Sequence, residues 1–301
     1  MKFNIEKLLS EVPITRVSHI KDNEVYAVLE KFNICGSIKV KPVYWILKKA
    51  IESWELSQDK IVLEASSWNT AISLAYLSNL FDLKVQLVVP ESTASCKKKL
   101  IKSYWADLIE VPGTTDDAID HRDMIYTNDP SKYFLADQFN NIANFESHYA
   151  LTWPNIEKKV WYIDFFVAWL WTSGTLLWTW KYLKERNPNM KLIAINPIDK
   201  VEWIKNYKQV RNIGEFYKEY SYLIDEIIDV SFQNDAIEGI NDYIKEWYFN
   251  WISSWAILNW TKRFLDWKSW LKWVIIAPDW GDYYFWETFK YINPANVLWC
   301  E

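Results

Sequence analysis

The chain has 301 residues, 34 of them basic and 39 acidic, and its formal net charge of −5 is distributed without long charged blocks. This length is sufficient for one large or two ordinary domains, and the acidic balance argues against a nucleic-acid binder with a basic surface. Three widely separated cysteines form no Cys-x-x-Cys pair, as is typical of a protein from the reducing cytosol. We therefore expect a cytoplasmic protein that acts on a small molecule.

Short apolar runs alternate with segments of helical periodicity along the chain. The runs predict strands at 24–30, 60–65, 84–90, 106–111, 162–168, 191–197 and 272–278. The periodic segments predict helices at 40–53, 70–81, 94–104 and 175–186. This alternation predicts βαβ units, and therefore an α/β fold with parallel sheets flanked by helices. In such folds ligands bind where the carboxyl ends of strands meet helix N-termini.

One segment has about the length and polarity of a membrane span. Residues 161–180 carry a single charged side chain, Asp164. Asp164, the Thr-Ser-Gly-Thr centre and the lack of a second such segment favour a buried strand, loop and helix instead. The N-terminal residues include Glu6 and no long apolar run, which argues against a secretory signal. We expect neither a membrane nor a nucleic acid as partner.

A lysine follows a Gly-Ser turn directly after the first predicted strand. The segment FNICGSIK, residues 32–39, places Lys39 at a junction between a strand and a helix. Burial there lowers the pKa of an ammonium group, and a neutral amine is what a Schiff base with an aldehyde cofactor requires. Taken alone, the pattern is also typical of a solvent-exposed lysine at the start of a helix.

Two more predicted strands end in loops of small polar residues. The loops are Ser66-Ser67-Trp68-Asn69-Thr70 and Trp171-Thr172-Ser173-Gly174-Thr175. With residues 33–41, NICGSIKVK, they resemble in order and spacing the three loops of the fold-type II, pyridoxal-phosphate-dependent cysteine synthase and cystathionine β-synthase family. That family reads Asn-Pro-x-Gly-Ser-x-Lys-Asp-Arg, Thr-Ser-Gly-Asn-Thr and Gly-Thr-Gly-Gly-Thr. Segments 136–154, 248–257 and 277–284 extend the resemblance to most of the chain.

The resemblance implies a role for each loop. Lys39 would hold pyridoxal 5′-phosphate as a Schiff base and then act as the catalytic base. The other implied cofactor-binding residues are Asn69, Trp171, Thr172, Ser173, Gly174, Thr175 and Trp280. The implied substrate-binding residues are Ser66, Ser67, Trp68, Thr70 and Gln138.

For several of these residues a purely structural role is the alternative. Gln138 has the pattern of a surface loop residue, and Ser66 with Ser67 has that of a helix N-cap. Trp280 stands where many relatives place a serine that faces the pyridine nitrogen; Asp279 or a water molecule are the alternatives. We interpret His148 as a packing or supporting residue and Cys35 as a bystander, and we expect no metal site.

The implied function is β-replacement on an activated serine. A cysteine synthase of cysteine biosynthesis, converting O-acetylserine and sulfide into cysteine and acetate, is favoured because no haem-binding or regulatory extension is visible. Cystathionine β-synthase or another β-replacement enzyme, a transferase or lyase of amino-acid biosynthesis, is the alternative. A non-catalytic relative that acts as a binding protein is another, because Val40 and Lys41 replace the family's Asp-Arg and remove a charge pair beside Lys39.

The resemblance also implies a two-domain architecture like that of the tryptophan synthase β subunit. We expect residues 1–39 plus 145–301 to form a larger cofactor-binding domain and residues 40–144 a smaller domain that carries the substrate loop. Enzymes of this type are commonly homodimers, so a homodimer is expected.

Tryptophan is abundant and glycine scarce. The chain has 21 Trp and 6 Gly, whereas an average protein has about 7 % glycine. Tryptophan stands at eleven positions where the family has glycine: Trp68, Trp105, Trp153, Trp169, Trp171, Trp178, Trp180, Trp203, Trp247, Trp251 and Trp255. Glycine serves at such positions because the backbone needs positive φ or approaches a phosphate closely. Our hypothesis is that these codons are UGA, read as glycine in the source and rendered here as tryptophan.

Overall fold

The computed structural model describes residues 4–17, 21–66, 68–170, 174–198, 206–208, 214–231, 252–265 and 268–279. Within these residues the chain forms two β-sheets flanked by helices, which confirms the predicted α/β class. Strands and helices alternate along most of the sequence, as expected where parallel strands are joined by helical crossovers.

The larger sheet has six strands in the order β1-β2-β10-β7-β8-β9. These strands are Ile14–Val17, Glu24–Leu29, Lys272–Ala277, Phe165–Trp169, Lys191–Pro197 and Glu226–Val230. Only the pairing of β1 with β2 is antiparallel; the other pairs are parallel. The carboxyl ends of β2, β10 and β7 therefore meet at one edge of the sheet.

The smaller sheet has four strands, all parallel, in the order β5-β4-β3-β6. Its strands are β3 (Ile61–Ala65), β4 (Lys84–Pro90), β5 (Asp107–Val111) and β6 (Tyr133–Leu135). They all come from the stretch 61–135, between the strands β2 and β7 of the larger sheet.

The helices lie mainly between the strands. Before and within the smaller sheet they are α1 (Ile5–Leu9), α2 (Val40–Glu52), α3 (Asn69–Leu80), α4 (Ser95–Ser103) and α5 (Thr115–Asn128). Then follow α6 (Ile142–Ser147), a π-helical turn (His148–Thr152), α7 (Trp153–Lys159), α8 (Gly174–Lys184), α9 (Glu215–Tyr220) and α10 (Ile252–Leu265). None of the described helices is long and apolar enough to cross a membrane.

The seven predicted strands all form, and the four predicted helices form to within two residues at each end. The run 162–168 begins its strand later than predicted, at Phe165; just before it, the Asp164 carboxylate accepts from the Lys272 backbone N–H at 2.7 Å. Three strands were not predicted: β1, β6 and β9. Each is at most five residues long, and β1 and β9 are edge strands with mixed burial, so their apolar pattern is weak.

The apolar interior divides into clusters on both faces of each sheet. One face of the larger sheet packs Val25, Val167, Ile193 and Ile275 against α10, and the other packs Phe166, Leu192 and Val274 against α7 and α8. Helices α2 and α3 pack on the smaller sheet, and Leu9 of α1 joins that cluster. The strand ends of both sheets are thereby held rigidly, and their loops carry the candidate site.

Candidate functional site

The loop that carries Lys39 is fixed to the carboxyl end of β10. Ser37 forms an antiparallel bridge with Asp279, and the Ile38 backbone N–H donates to the Pro278 carbonyl oxygen at 2.7 Å. Lys39 itself occupies the N-cap position of α2. The sequence predicted a lysine at a junction between a strand and a helix; the structure adds that the residues just after β10, Pro278 and Asp279, hold this loop in place.

The Lys39 side chain lies in a poorly solvated environment. Burial lowers the pKa of Lys39 to about 8, and the nearby Asp279 carboxylate acts in the opposite direction. An amine with this pKa is neutral in roughly a tenth of the molecules at pH 7, far more than an ordinary lysine, and nucleophilic attack on an aldehyde requires the neutral form. The prediction that burial tunes this lysine therefore has a physical basis in the folded chain.

Asn69 and Asp279 meet beside Lys39. Asn69 is the first residue of α3, and its Nδ2 donates to Asp279 Oδ2 at 2.6 Å. Burial raises the pKa of Asp279 to about 7, opposed by the bond from Asn69 and the charges of Lys97 and Lys39. Asn69 Oδ1 and Asp279 Oδ1 are buried and have no hydrogen-bond partner among the residues that the structure describes. Two polar oxygens are thus available to a ligand at this point.

The substrate loop predicted at 66–70 follows β3. Ser66 is buried, its backbone N–H donates to the Val88 carbonyl oxygen at 3.1 Å, and its Oγ accepts from the Trp68 backbone N–H at 3.3 Å. Ser67 lies outside the described residues. The Trp68 ring packs against the apolar cluster of the larger sheet and directly covers the buried ammonium of Lys97. An indole therefore fills space between the two sheets, where the family's glycine has no side chain.

Thr70 and Gln138 are in direct contact. Thr70 Oγ1 donates to Gln138 Oε1 at 2.6 Å, and both side chains are buried. The alternative that Gln138 is a surface loop residue is wrong, because only 5 % of it is exposed. The Gln138 backbone N–H donates to Glu64 Oε2 at 2.9 Å, and Glu64 Oε1 accepts from Arg122 Nη1 at 2.8 Å. A buried ion pair thus holds the loop that carries Gln138.

The predicted phosphate loop is described only at its end. Trp171, Thr172 and Ser173 lie outside the described residues, as does Trp280. Gly174 begins α8, and a Cβ atom there would lie 2.8 Å from Asn144 Oδ1, so a larger residue would require the Asn144 side chain to shift. Thr175 follows, with its Oγ1 3.3 Å from His148 Nε2. The close approach of this loop's backbone to a phosphate stays a prediction.

Lys41 forms a buried ion pair that the sequence did not reveal. Its Nζ lies 2.6 Å from Glu30 Oε1, and neither side chain is exposed. Val40 and Lys41 stand where the family has Asp-Arg, and Lys41 is paired instead with Glu30, eleven positions earlier and just past the end of β2. A buried charge pair is therefore present two residues after Lys39, although it is not the family's Asp-Arg pair.

His148 is a neutral, fully enclosed imidazole. Burial, with the positive charges of Lys41 and Lys39, lowers the pKa of His148 well below its ordinary value. Its two ring nitrogens contact Thr152 Oγ1 at 3.0 Å and Thr175 Oγ1 at 3.3 Å. These contacts agree with the interpretation of His148 as a supporting residue. Burial also raises the pKa of the Cys35 thiol to about 12, which keeps it protonated and unreactive.

Sequence reasoning missed Glu30, Glu64, Lys97 and the position of Asp279. A signal exists for Glu64, because it is the one charged residue within the buried strand β3. Charged residues are almost never fully buried without a partner, so it predicts a buried cation elsewhere. No comparable signal marks Lys97, which is followed by the half-buried Lys98 and the exposed Lys99 at the start of α4.

Several tryptophans adopt a backbone conformation that favours glycine. Trp54, Trp105 and Trp270 have φ of 62°, 60° and 65°. Trp54 and Trp105 each stand one residue past the C-cap of a helix, α2 and α4, where glycine is the usual residue. Their side chains are 88 % and 81 % exposed, so the indoles gain little burial there. Trp54 and Trp270 are not among the eleven positions identified from the sequence, and their positive φ angles extend the hypothesis to them.

The eleven tryptophans fall into different environments. Trp153 is fully buried, in edge-to-face contact with Phe166, and its Nε1 has no hydrogen-bond partner in the described part of the chain. Trp169, at the end of β7, likewise has an unpartnered Nε1. An unpaired buried N–H is costly, roughly 1–3 kcal/mol, so tryptophan is a poor residue at both positions. Trp171, Trp203, Trp247 and Trp251 lie outside the described residues.

The chain matches a family of known enzymes over most of its length. The model of the "pyridoxal-phosphate dependent enzyme" family matches residues 8–265. A cysteine synthase of Aquifex aeolicus is 31% identical over 221 residues, covering 69% of this chain and 66% of that protein. A cysteine synthase B of Campylobacter jejuni is 30% identical over 264 residues, covering 84% and 86%. The matches to the Aquifex protein and to a Staphylococcus aureus cysteine synthase span just under two thirds of those relatives.

Solved structures show the same fold. A hydrogen sulfide-producing enzyme from Fusobacterium nucleatum superposes with a TM-score of 0.83 at 25% identity, covering 94% of this chain and 98% of that one. An O-acetyl serine sulfhydrylase isoform from Entamoeba histolytica gives 0.86 at 24% identity, covering 98% and 93%.

Proposed function

This chain belongs to the pyridoxal-phosphate dependent enzyme family, and from that membership we propose that it is a cysteine synthase. The reaction is replacement of the acetoxy group of O-acetylserine by sulfide, which yields cysteine and acetate. The single observation that carries this proposal is the placement of Lys39, with a pKa of about 8, beside Asn69 and Asp279 at the carboxyl end of β10. The names of the Aquifex and Campylobacter relatives point to the same activity.

The residues of the site fit pyridoxal phosphate. The buried oxygens Asn69 Oδ1 and Asp279 Oδ1 have no partner within the described chain, which suits contacts with the polar groups of an aromatic ring. Gly174 leaves its backbone bare at the N-terminus of the eleven-residue helix α8, where N–H groups attract an anion such as phosphate. Lys39 supplies the amine.

Each residue then has a task in the reaction. When bound, pyridoxal phosphate supplies an electron sink for the negative charge left at the substrate's α-carbon. Lys39 Nζ removes the α-proton, because its lowered pKa leaves it partly neutral near pH 7. Asn69 and Asp279 orient the ring beside Lys39. The proposed phosphate contacts come from residues 171–175, and Trp280 stands at the position proposed to face the ring nitrogen.

The substrate carboxylate is proposed to bind at the start of α3. The backbone there presents unpaired N–H groups, and the Thr70 hydroxyl and the Gln138 amide lie together at this end. Ser66, Ser67 and Trp68 complete the proposed loop. Because Glu64 and Arg122 anchor the backbone of Gln138, the clamp is held in place before the substrate arrives.

We also propose that residues 40–144 form the smaller domain and residues 1–39 plus 145–301 the larger one. The confinement of the four-stranded sheet to 61–135 supports this division. A homodimer in the cytoplasm is proposed from the resemblance to the family alone.

The test uses the full chain incubated with pyridoxal 5′-phosphate and reduced with borohydride. We expect peptide mass spectrometry to find the cofactor fixed to Lys39 and not to the buried Lys41 or Lys97, which serve as internal controls. Feeding O-acetylserine with sulfide should then yield cysteine. Cystathionine from serine and homocysteine, with no cysteine from the first pair, would assign the alternative activity; no fixation at Lys39 would overturn the proposal.

A further inference from the structure

A continuous chain of polar contacts, buried except at its half-buried end at Thr175, runs from Lys41 to the start of α8. Lys41 Nζ lies 2.6 Å from Glu30 Oε1 and 3.4 Å from Thr152 Oγ1. Thr152 Oγ1 lies 3.0 Å from His148 Nδ1, and His148 Nε2 lies 3.3 Å from Thr175 Oγ1. The five residues come from four separate parts of the sequence. Together they link the residue two positions after Lys39 to the loop proposed to hold the cofactor phosphate.

We propose that Lys41 and Glu30 set the direction of every hydrogen bond in this chain, so that the Thr175 hydroxyl donates outward to the phosphate of the cofactor. The inference rests on the proposed function for the identity of the anion. It attributes the orientation of the Thr175 hydroxyl to a buried ion pair outside the pocket, Lys41 with Glu30.

The first step follows from the chemistry of lysine. An ammonium group has three donors and no acceptor, so Lys41 donates both to Glu30 and to Thr152. A threonine hydroxyl has one proton to give. Since Thr152 Oγ1 accepts from Lys41, its own proton is directed to its other neighbour, His148 Nδ1.

The second step fixes the tautomer of His148. The imidazole is neutral because burial and the charge of Lys41 disfavour its protonated form. A neutral imidazole carries one N–H, and Nδ1 already accepts, so the proton resides on Nε2. Nε2 then donates to Thr175 Oγ1, and the proton of the Thr175 hydroxyl points away from His148.

The consequence is an orientation built in before any ligand arrives. Thr175 is the second residue of α8, where backbone N–H groups already favour an anion. If the chain ran in the opposite direction, Thr175 would present a lone pair towards the phosphate and repel it. Lys41 is thus a positioning residue that acts through Thr152 and His148.

Imidazole ¹⁵N NMR on the cofactor-free protein tests the tautomer directly. The chain has only three histidines, and a His148→Gln variant identifies the signals of His148. We expect the Nε2–H tautomer between pH 6 and 8 in the wild type and in Thr152→Ser, and its loss in Thr152→Val. An Nδ1–H tautomer or a charged imidazole in the wild type overturns the proposal, even if Thr152→Val does not fold.

A second measurement distinguishes the contribution of the cofactor's phosphate to binding from that of its aldehyde. Pyridoxal and pyridoxal 5′-phosphate both react with Lys39, but only the second carries a phosphate. We expect Thr152→Val to weaken binding of pyridoxal 5′-phosphate about tenfold and that of pyridoxal hardly at all, with Thr152→Ser restoring the wild-type value. Equal weakening of both, or of neither, contradicts the inference. Failure of the wild type to react with either aldehyde contradicts the proposed function instead.

Discussion

Asn69 Nδ2 donates to Asp279 Oδ2 at 2.6 Å, and this bond joins the loop after β3 of the smaller sheet to the loop after β10 of the larger one. The two residues are 210 positions apart in the sequence. Because Ser37 pairs with Asp279 on the same loop, the bond also brings the start of α3 next to Lys39. The geometry of the proposed site depends on this contact between the sheets.

The Asp279 carboxylate is expected to control the protonation of Lys39. Asp279 raises the pKa of Lys39 while burial lowers it to about 8, so Asp279→Asn should shift the Lys39 pKa further down. Since Asp279 has a pKa of about 7, the two proteins should differ above pH 7 and converge below it. The measurement is the pH dependence of the rate at which Lys39 reacts with pyridoxal 5′-phosphate.

The exposed Asp107, replaced by asparagine, is the matched control for this experiment and should leave the profile unchanged. An unchanged or upward-shifted midpoint in Asp279→Asn would show that Asp279 does not act on Lys39.

His148 should make the protein less stable in mild acid. Its pKa is lowered in the folded state, so the unfolded chain binds a proton that the folded chain does not. The free energy of unfolding should therefore fall as the pH drops below about 6.5, by up to about 1.4 kcal/mol per pH unit. Urea unfolding between pH 5 and 8 measures it.

The control is His148→Gln, which keeps a polar side chain but does not titrate. Asp279 has the opposite effect on the free energy of unfolding. Because its pKa is raised to about 7, the folded state binds a proton as the pH falls below 7, whereas the unfolded chain does not yet do so. That contribution is common to both proteins and cancels in the comparison. If the free energy of unfolding fell equally steeply with decreasing pH in the wild type and the variant, His148 would not be the group responsible.

Gln138 is expected to contribute more to binding of the amino acid substrate than to the rate at which the bound substrate reacts. Its amide lies 2.6 Å from the Thr70 hydroxyl, whereas the loop that carries Lys39 is held separately, through Ser37 and Ile38, by the residues that follow β10. Gln138→Ala should raise the KM for O-acetylserine about tenfold, the loss of one hydrogen bond to a charged group. Fixation of the cofactor by borohydride should be unchanged. A drop in fixation equal to the drop in kcat/KM would place Gln138 in the cofactor site instead.

Glycine should stabilise the chain at Trp105. A residue other than glycine costs roughly 1–2 kcal/mol in the left-handed region, and this side chain is 81 % exposed and loses little on removal. Trp105→Gly should raise the free energy of unfolding by about 1 kcal/mol, measured by urea titration. Trp161 is 91 % exposed but has no positive φ, so Trp161→Gly should destabilise the chain.

The coding sequence tests the origin of the tryptophans. If UGA is read as glycine in the source, the eleven positions and also Trp54 and Trp270 carry UGA codons, whereas Trp45 in the middle of α2 carries UGG. The protein isolated from its source should then have a lower mass than the tryptophan-containing sequence, by the difference between tryptophan and glycine at each of these positions. UGG codons at the eleven positions end the hypothesis.

Local patterns were enough to predict much of the fold. Seven strands were predicted because each contains a short run rich in apolar residues, and the order of three loop motifs identified the family resemblance. The same motifs indicated Lys39, Asn69, Thr70 and Gly174. These features depend on residues within a few positions of each other, so they are visible in a linear sequence.

The partners of the site residues were decided by the tertiary structure alone. Asp279 reaches Asn69, Lys41 reaches Glu30, and Arg122 reaches Glu64 only after the two sheets and their helices have packed. No periodicity records such contacts, because each joins segments whose separation in the sequence is set by the fold. The sequence thus determined which residues are available for chemistry, and packing determined their protonation and orientation, since burial and neighbouring charges act only across the assembled structure.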